Sequence, residues 1–267
     1  MNKDMLDIYK SIGIKYISTR SIGYDHIDVE HANMIGIKIA HVFYDPNSVA
    51  NYTIMMMLMG CRKILPIMER AKIQDYSLKG KAGKEISDCV IGVIGTGRIG
   101  TKVIEHLSGF ECKILAYDIY QNDTVKKYAK YTDLDTLFSE ADIITLHAPA
   151  NAENYHMINK DTFEKMKDGV MIVNNARGAL INTDDMIEAI ENGKIGYAAL
   201  DTIENESGLY YLNRKGDIIH NHDMAILSAF PNVMLSPHTA FYTERAVKDM
   251  VDNSIKGLLN FEVNDKN

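Results

Sequence analysis

The sequence predicts an α/β fold, a parallel sheet wound with helices, and three observations carry that expectation. Short β-branched runs alternate with amphipathic stretches along the whole chain. Helix start and stop signals fall between those runs. The 267 residues, at about 150 per domain, allow just under two domains, and 46% hydrophobic with 24% charged residues is an ordinary globular balance.

Strands are expected at 15–18, 38–42, 90–94, 113–117, 142–146, 170–174, 197–201 and 233–235. Between the second and third, Asp45-Pro46-Asn47-Ser48 reads as a turn feeding a long helix, and Pro66 as the start of another. The stretch 53–59, Thr-Ile-Met-Met-Met-Leu-Met, is apolar on nearly every side of a helix. It must be covered, by the chain's own core or, in the sharper reading, by a second copy. Further on, Asp161 and Glu164 resemble a capping box closed by Gly169. Thr183 is expected to cap a helix with Asp184 and Asp185 in its first turn and Gly193 at its end.

Composition excludes several classes of function. Twenty-nine basic against 36 acidic side chains leave a net charge of −7, and no basic block stands out, so nucleic acid and anionic membrane are poor partners. No apolar run approaches the ~20 residues of a membrane span. Cys61, Cys89 and Cys112 form no C-x-x-C pair, which argues against a disulfide framework or thiolate metal site and for a reducing cytoplasm. Asp4, Asp7 and Lys10 interrupt the opening residues, unlike a signal peptide. His220 and His222, two apart on an expected loop, lack a third ligand, so no metal is expected.

The chemistry concentrates at strand ends. The strand at 90–94 runs into Gly95-Thr96-Gly97-Arg98-Ile99-Gly100 and then an amphipathic helix. In that context the glycines allow a tight turn and a pyrophosphate close to the backbone at a helix N-terminus. The next strand ends at Asp118, placed to accept both ribose hydroxyls and to repel a 2′-phosphate. NAD is therefore expected rather than NADP.

Polar residues also follow later strands: His147-Ala148-Pro149, Asn174-Asn175-Ala176-Arg177-Gly178, Asp201, and His238 within Ser236-Pro237-His238-Thr239-Ala240. Singly they mean little, since His238 is one of nine histidines. Together they are the types that hydride transfer to a 2-oxo acid requires: a cation for the carboxylate, an imidazole for the proton, and an acid to orient it.

With those residues in view, the chain resembles the NAD-dependent D-2-hydroxyacid dehydrogenases, the D-lactate dehydrogenase branch in particular. The resemblance rests on Lys15-Tyr16-Ile17-Ser18-Thr19-Arg20-Ser21-Ile22-Gly23-Tyr24-Asp25-His26-Ile27-Asp28, the Gly95 to Gly100 fingerprint, and the segments 174–178, 201–206 and 236–243. The first is similar to the D-lactate dehydrogenases of glycopeptide-resistance clusters. Residues 95–201 are equally similar to the clostridial aromatic enzymes.

The family implies a Rossmann-type doubly wound parallel sheet domain, 44–242, inserted in a smaller flavodoxin-like α/β substrate domain, 1–43 with 243–267. That smaller domain is expected to be N-terminally truncated, because family members carry more sequence there. By the same resemblance Arg177 holds the substrate carboxylate, His238 is the acid/base, and Glu206 orients it and keeps its proton available. Glu204 competes with Glu206 and is expected to be a loop residue. The amides of Ile22 and Gly23 and the side chain of Tyr44 complete the substrate site.

NAD is implied at Gly95, Gly97, Arg98, Ile99 and Gly100 for the pyrophosphate and at Asp118 for the ribose. Ala148, Pro149, Asn154, Asn175, Ala176, Arg177 and Asp201 surround the nicotinamide half. The implied protein is a cytoplasmic homodimer that reduces pyruvate or a similar 2-oxo acid with NADH. Enzymes for larger acids, phenylpyruvate or 2-oxoisocaproate, and an NAD-binding module without turnover are the alternatives.

Overall fold

The computed structural model describes residues 1–24 and 26–266, with side chains described through 262; Asp25 of the quoted motif lies outside them. The chain divides into two compact units, Met1–Ser48 with Tyr242–Asn267 and Val49–Phe241, where the sequence suggested breaks at 43/44 and 242/243. The turn at 45–48 stays with the first unit because Asp45 is tied there. Its amide donates to Asp249, its carboxylate pairs with Arg245 at 2.8 Å, and it accepts from Asn47 N at 2.9 Å.

The first unit holds α1 (Lys3–Ser11), β1 (Tyr16–Ser18), α2 (Val29–Met34), β2 (Lys38–Ala40) and, from the far end of the chain, α10 (Glu244–Lys266). β1 and β2 pair in parallel, Tyr16 opposite Lys38. Leu6, Ala32 and Ile37 are buried beside them. α10 is fastened to β1 by Ser254 Oγ against Ser18 Oγ at 2.8 Å and by the stacked rings of Phe261 and Tyr16. β2 stops at Ala40 rather than at 42, since the Val42 amide turns to Ser21 O.

In the second unit the order is α3 (Asn47–Cys61), α4 (Ile64–Lys72), β3 (Val90–Ile94), α5 (Arg98–Leu107), β4 (Lys113–Tyr117), β5 (Lys130–Tyr131), α6 (Leu134–Glu140), β6 (Ile143–Leu146), α7 (Lys160–Lys165), β7 (Val170–Asn174), α8 (Thr183–Glu191), β8 (Ile195–Leu200), α9 (His222–Ala229) and β9 (Val233–Leu235). The strands form one seven-stranded parallel sheet ordered β5-β4-β3-β6-β7-β8-β9. β3 runs on to β4 and β5 in one direction, and β6 to β9 in the other. The reversal between β3 and β6 is the switch point at which open α/β sheets bind ligands beyond their strand C-termini, the Rossmann-type arrangement expected.

Both faces of this sheet are covered, which explains its nearly continuous apolar strands. Leu137, Phe138, Phe163, Met186 and Leu227 pack on one face, and Ile54, Met56, Met57, Val103, Ile104 and Leu107 on the other. α3 thus buries Met56 and Met57 in the core of its own unit, and within 51–60 only Asn51 and Met55 are exposed.

Several local expectations need correction. Asn182, not Thr183, caps α8, its side chain accepting from Asp185 N. α7 is capped by a box of Asn159 and Thr162 rather than by Asp161 and Glu164. Pro66 is the third residue of α4, behind Lys63 in the left-handed region at φ 50°. β8 begins at Ile195 and ends at Leu200, one residue before Asp201. His222 opens α9 instead of lying on a loop. The two-residue β5 is too short to leave a periodic signal in sequence.

Candidate active site

At the switch point each glycine of the loop after β3 answers a different constraint. Gly95 has φ +93°, and a Cβ there would fall 2.6 Å from His147 C; one on Gly100 would fall 1.9 Å from Gly95 O. These two let the loop fold on itself. A Cβ on Gly97 would meet nothing within 4 Å, so this glycine, the exposed N-cap of α5, faces open space over a helix N-terminus. Arg98 and Ile99 follow in the first turn, exposed and half-buried.

Asp118 braces this loop. Its Oδ2 accepts from Thr96 N at 2.5 Å and Thr96 Oγ1 at 3.1 Å, its Oδ1 from Tyr120 N at 2.9 Å, and Tyr131 Oη lies 2.8 Å from Thr96 Oγ1. A carboxylate so placed retains lone pairs for a ribose.

Three neighbouring strands end in buried polar atoms that lack a protein partner. They are His147 Nδ1 after β6, Asn175 Oδ1 and Nδ2 after β7, and Thr202 Oγ1 after β8. Buried polar groups are normally paired, so this row at the sheet's ligand-binding edge fits the amide and hydroxyl groups of a dinucleotide. Sequence reasoning named Asn175 as a cofactor residue, noted His147 only as a polar residue after a strand, and missed Thr202, because their isolation depends on which strands are neighbours. Enclosure holds the His147 imidazole neutral, its pKa pushed down to about 3, with Nε2 3.0 Å from Thr145 Oγ1.

Between the strand ends the loops are fastened from within. Asn154 Nδ2 donates to Pro149 O and its Oδ1 accepts from Asn151 N at 2.8 Å, which closes the loop bearing Ala148 and Pro149. Asn174, 1% exposed, accepts from Ala176 N at 3.0 Å and donates to Arg177 O at 2.8 Å. That pair of bonds fixes the loop carrying Arg177, whose Nη1 donates to Ala176 O.

Asp201 is buried, and its carboxylate binds protein: Oδ1 accepts from Ser236 Oγ at 2.6 Å and Thr239 N at 2.9 Å, Oδ2 from Ala240 N at 2.8 Å. It holds the turn that presents His238. In that turn His238 sits in the left-handed region at φ 53°, and its carbonyl accepts from Tyr211 Oη at 2.8 Å. His238 Nδ1 meets Glu206 Oε1 at 2.6 Å, while Glu206 Oε2 accepts from Ile203 N at 3.1 Å. An imidazole held through Nδ1 by a carboxylate keeps Nε2 for proton transfer. Ile22, Gly23 and Tyr44 belong to the first unit: the first two lie half-buried after β1, where Ser21 Oγ donates to Gly23 O at 2.6 Å, and Tyr44 is buried.

Residues 54–240 match the NAD binding domain of the D-isomer specific 2-hydroxyacid dehydrogenases. The chain belongs to that family. This dehydrogenase is 46% identical over 264 residues to the aromatic 2-oxoacid reductase of Clostridium sporogenes, covering 98% of the chain and 80% of the relative. It is 39% identical to the D-lactate dehydrogenase of Escherichia coli, again over 98% of the chain and 80% of the relative. Among solved structures, the D-lactate dehydrogenase of Aquifex aeolicus complexed with NAD and lactic acid superposes with a TM-score of 0.89 at 34% identity, over 97% of this chain and 80% of that one. The dehydrogenase is thus an NAD-dependent oxidoreductase of D-2-hydroxy acids. No helix among the described residues is long and apolar enough to cross a membrane, and no cluster of three or more metal-binding side chains occurs among them.

Two predictions test this site. Gly97→Ala is expected to keep stability within about 1 kcal/mol while weakening NADH binding at least about tenfold, read by denaturation and by fluorescence titration. Undiminished binding would place the pyrophosphate elsewhere. The second concerns His147, whose folded pKa of about 3 lies below the ordinary 6.5. Its contribution is present above pH 6.5 and lost as pH falls toward 3, because the unfolded chain takes up the proton first. Thermal melts across that window should show a pH slope that flattens in His147→Asn.

Proposed function

We propose that this dehydrogenase reduces pyruvate or a similarly small 2-oxo acid to the D-2-hydroxy acid, with Arg177, Glu206 and His238 as its acting residues. The observation that carries the assignment is the 2.6 Å contact of His238 Nδ1 with Glu206 Oε1 in the unit that bears the dinucleotide loop. Bound NADH supplies the hydride that adds to the carbonyl carbon. His238 delivers its proton to the carbonyl oxygen. Glu206 keeps the ring turned and its Nδ1 occupied. Arg177 pairs its guanidinium with the substrate carboxylate and polarises the adjacent carbonyl.

For the cofactor, the assignment gives Gly95, Gly97, Arg98, Ile99 and Gly100 to the pyrophosphate and Asp118 to the ribose. Ala148, Pro149, Asn154, Asn175, Ala176, Arg177 and Asp201 line the nicotinamide half. Ile22, Gly23 and Tyr44 are proposed substrate contacts on the family resemblance alone. A second reading, an aromatic 2-oxo acid as substrate, is favoured by the 46% identity with the clostridial reductase.

We place the enzyme in the cytoplasm, where its free Cys61, Cys89 and Cys112 would stay reduced. A homodimer is supported by Met68, Ile73, Tyr76 and Leu78, four large apolar side chains more than half exposed on α4 and the turn beyond it.

NADH consumption with pyruvate, phenylpyruvate and 2-oxoisocaproate ranks the substrates, and the highest kcat/KM is expected for pyruvate. A preference for phenylpyruvate would decide for the second reading. His238→Gln should lower kcat by about 10²- to 10⁴-fold while NADH still binds. Near-normal turnover by that variant would remove His238 from the reaction.

A further inference from the structure

Glu204, two residues before Glu206, directs its carboxylate to a different set of partners. Oε1 accepts from His156 Nε2 at 2.7 Å, and Oε2 accepts from Thr183 N at 3.1 Å and Thr183 Oγ1 at 2.7 Å. The side chains of Glu204 and His156 are only 16% and 24% exposed. Three donors converging on one largely enclosed carboxylate fix its position far better than an exposed ion pair would.

Those partners bracket the loop that carries Arg177. Thr183 opens α8 at the downstream end of the segment 177–183. Alongside it, His156 also donates its backbone N–H to Ala179 O at 2.9 Å, and Ile158 bridges Ile181. At the upstream end, a Cβ on Gly178 would fall 2.0 Å from Ile203 C and 2.3 Å from Glu204 N, so the two backbones touch with no room for a side chain. The segment from Arg177 is therefore pressed against residues 203–204 at one end and tied to the Glu204 carboxylate at the other.

We infer that Glu204 is a positioning residue: through His156, Thr183 and the backbone contact at Gly178, it locks the Arg177 loop to the loop bearing Glu206. Guanidinium and imidazole then hold a fixed spacing, as a substrate gripped at its carboxylate and protonated at its carbonyl requires. The inference rests on the roles proposed above for Arg177 and His238. Glutamine in place of Glu204 can still accept from Thr183 and can donate to the other tautomer of His156, whereas alanine removes every bond.

The test uses the full chain with the best 2-oxo acid of the panel. Glu204→Ala should raise KM for the 2-oxo acid about tenfold or more, leave the Kd for NADH within about threefold, and lower kcat by no more than about threefold. Glu204→Gln should bring KM back to within about threefold of the parent, and Thr183→Ala, which deletes one bond and keeps the helix, should raise it about threefold. If Glu204→Ala does not fold, the inference stands or falls on Thr183→Ala. An unmoved KM in Glu204→Ala or, failing that, in Thr183→Ala overturns it. So does a parallel rise in KM and in the Kd for NADH that glutamine does not repair, which would mark general loosening. Near-normal turnover by His238→Gln would overturn the assignment of the site and this inference with it, whereas a crippled His238→Gln beside an unmoved KM overturns the inference alone.

Discussion

A single buried carboxylate organises the catalytic end of the larger unit. Asp201 lies just past β8 with 1% of its surface exposed, and an ionised group so placed is tolerable only if its oxygens are bonded. The donors come from Ser236, Thr239 and Ala240, and the Asp201 amide meanwhile donates to Asn174 O at the end of β7. Satisfying one charge therefore ties together the C-terminal ends of β7, β8 and β9. The turn that closes around it puts His238 into the left-handed region, a conformation a non-glycine residue adopts only where its surroundings impose it.

Outward from that anchor, the two neighbouring acids divide the work. Glu206 faces His238 and Glu204 faces His156 and Thr183, so the short segment 201–206 reaches the His238 turn, the Arg177 loop and the loop after β6. The same edge of the sheet carries two imidazoles in different surroundings. His147 is enclosed and neutral, with a nitrogen left for a ligand, while His238 is paired with a carboxylate and half-exposed.

Much of this was legible in the sequence, and the rest was hidden for physical reasons. Gly95, Gly97 and Gly100 between a β-branched run and an amphipathic helix were readable because backbone sterics admit few other residues there. Strands β3, β4, β7 and β9 have the bounds expected from sequence, and β3, β4 and β7 are apolar and largely buried along their length. Asn182 and Thr183 are adjacent and both able to cap, and the choice is made by a contact distant in sequence, Asn182 N to Ile158 O at 2.8 Å. The separate jobs of Glu204 and Glu206 are likewise set by partners 48 and 32 positions away. Thr202 gave no pattern at all, and Asn174 and His147 showed only as polar residues at strand ends, since their importance lies in which strands the fold makes neighbours.

The smaller unit is assembled from two stretches of chain, residues 1–48 and 242–267, with the whole of the larger unit in between. On the ribosome, β1 and β2 are made before the larger unit, whereas Phe261, Ser254 and Arg245, which bind Tyr16, Ser18 and Asp45, are made after it. The larger unit has all its strands before then and can close first. β1 and β2 must therefore wait for the synthesis of the whole larger unit before Tyr16 and Ser18 can meet their partners on α10.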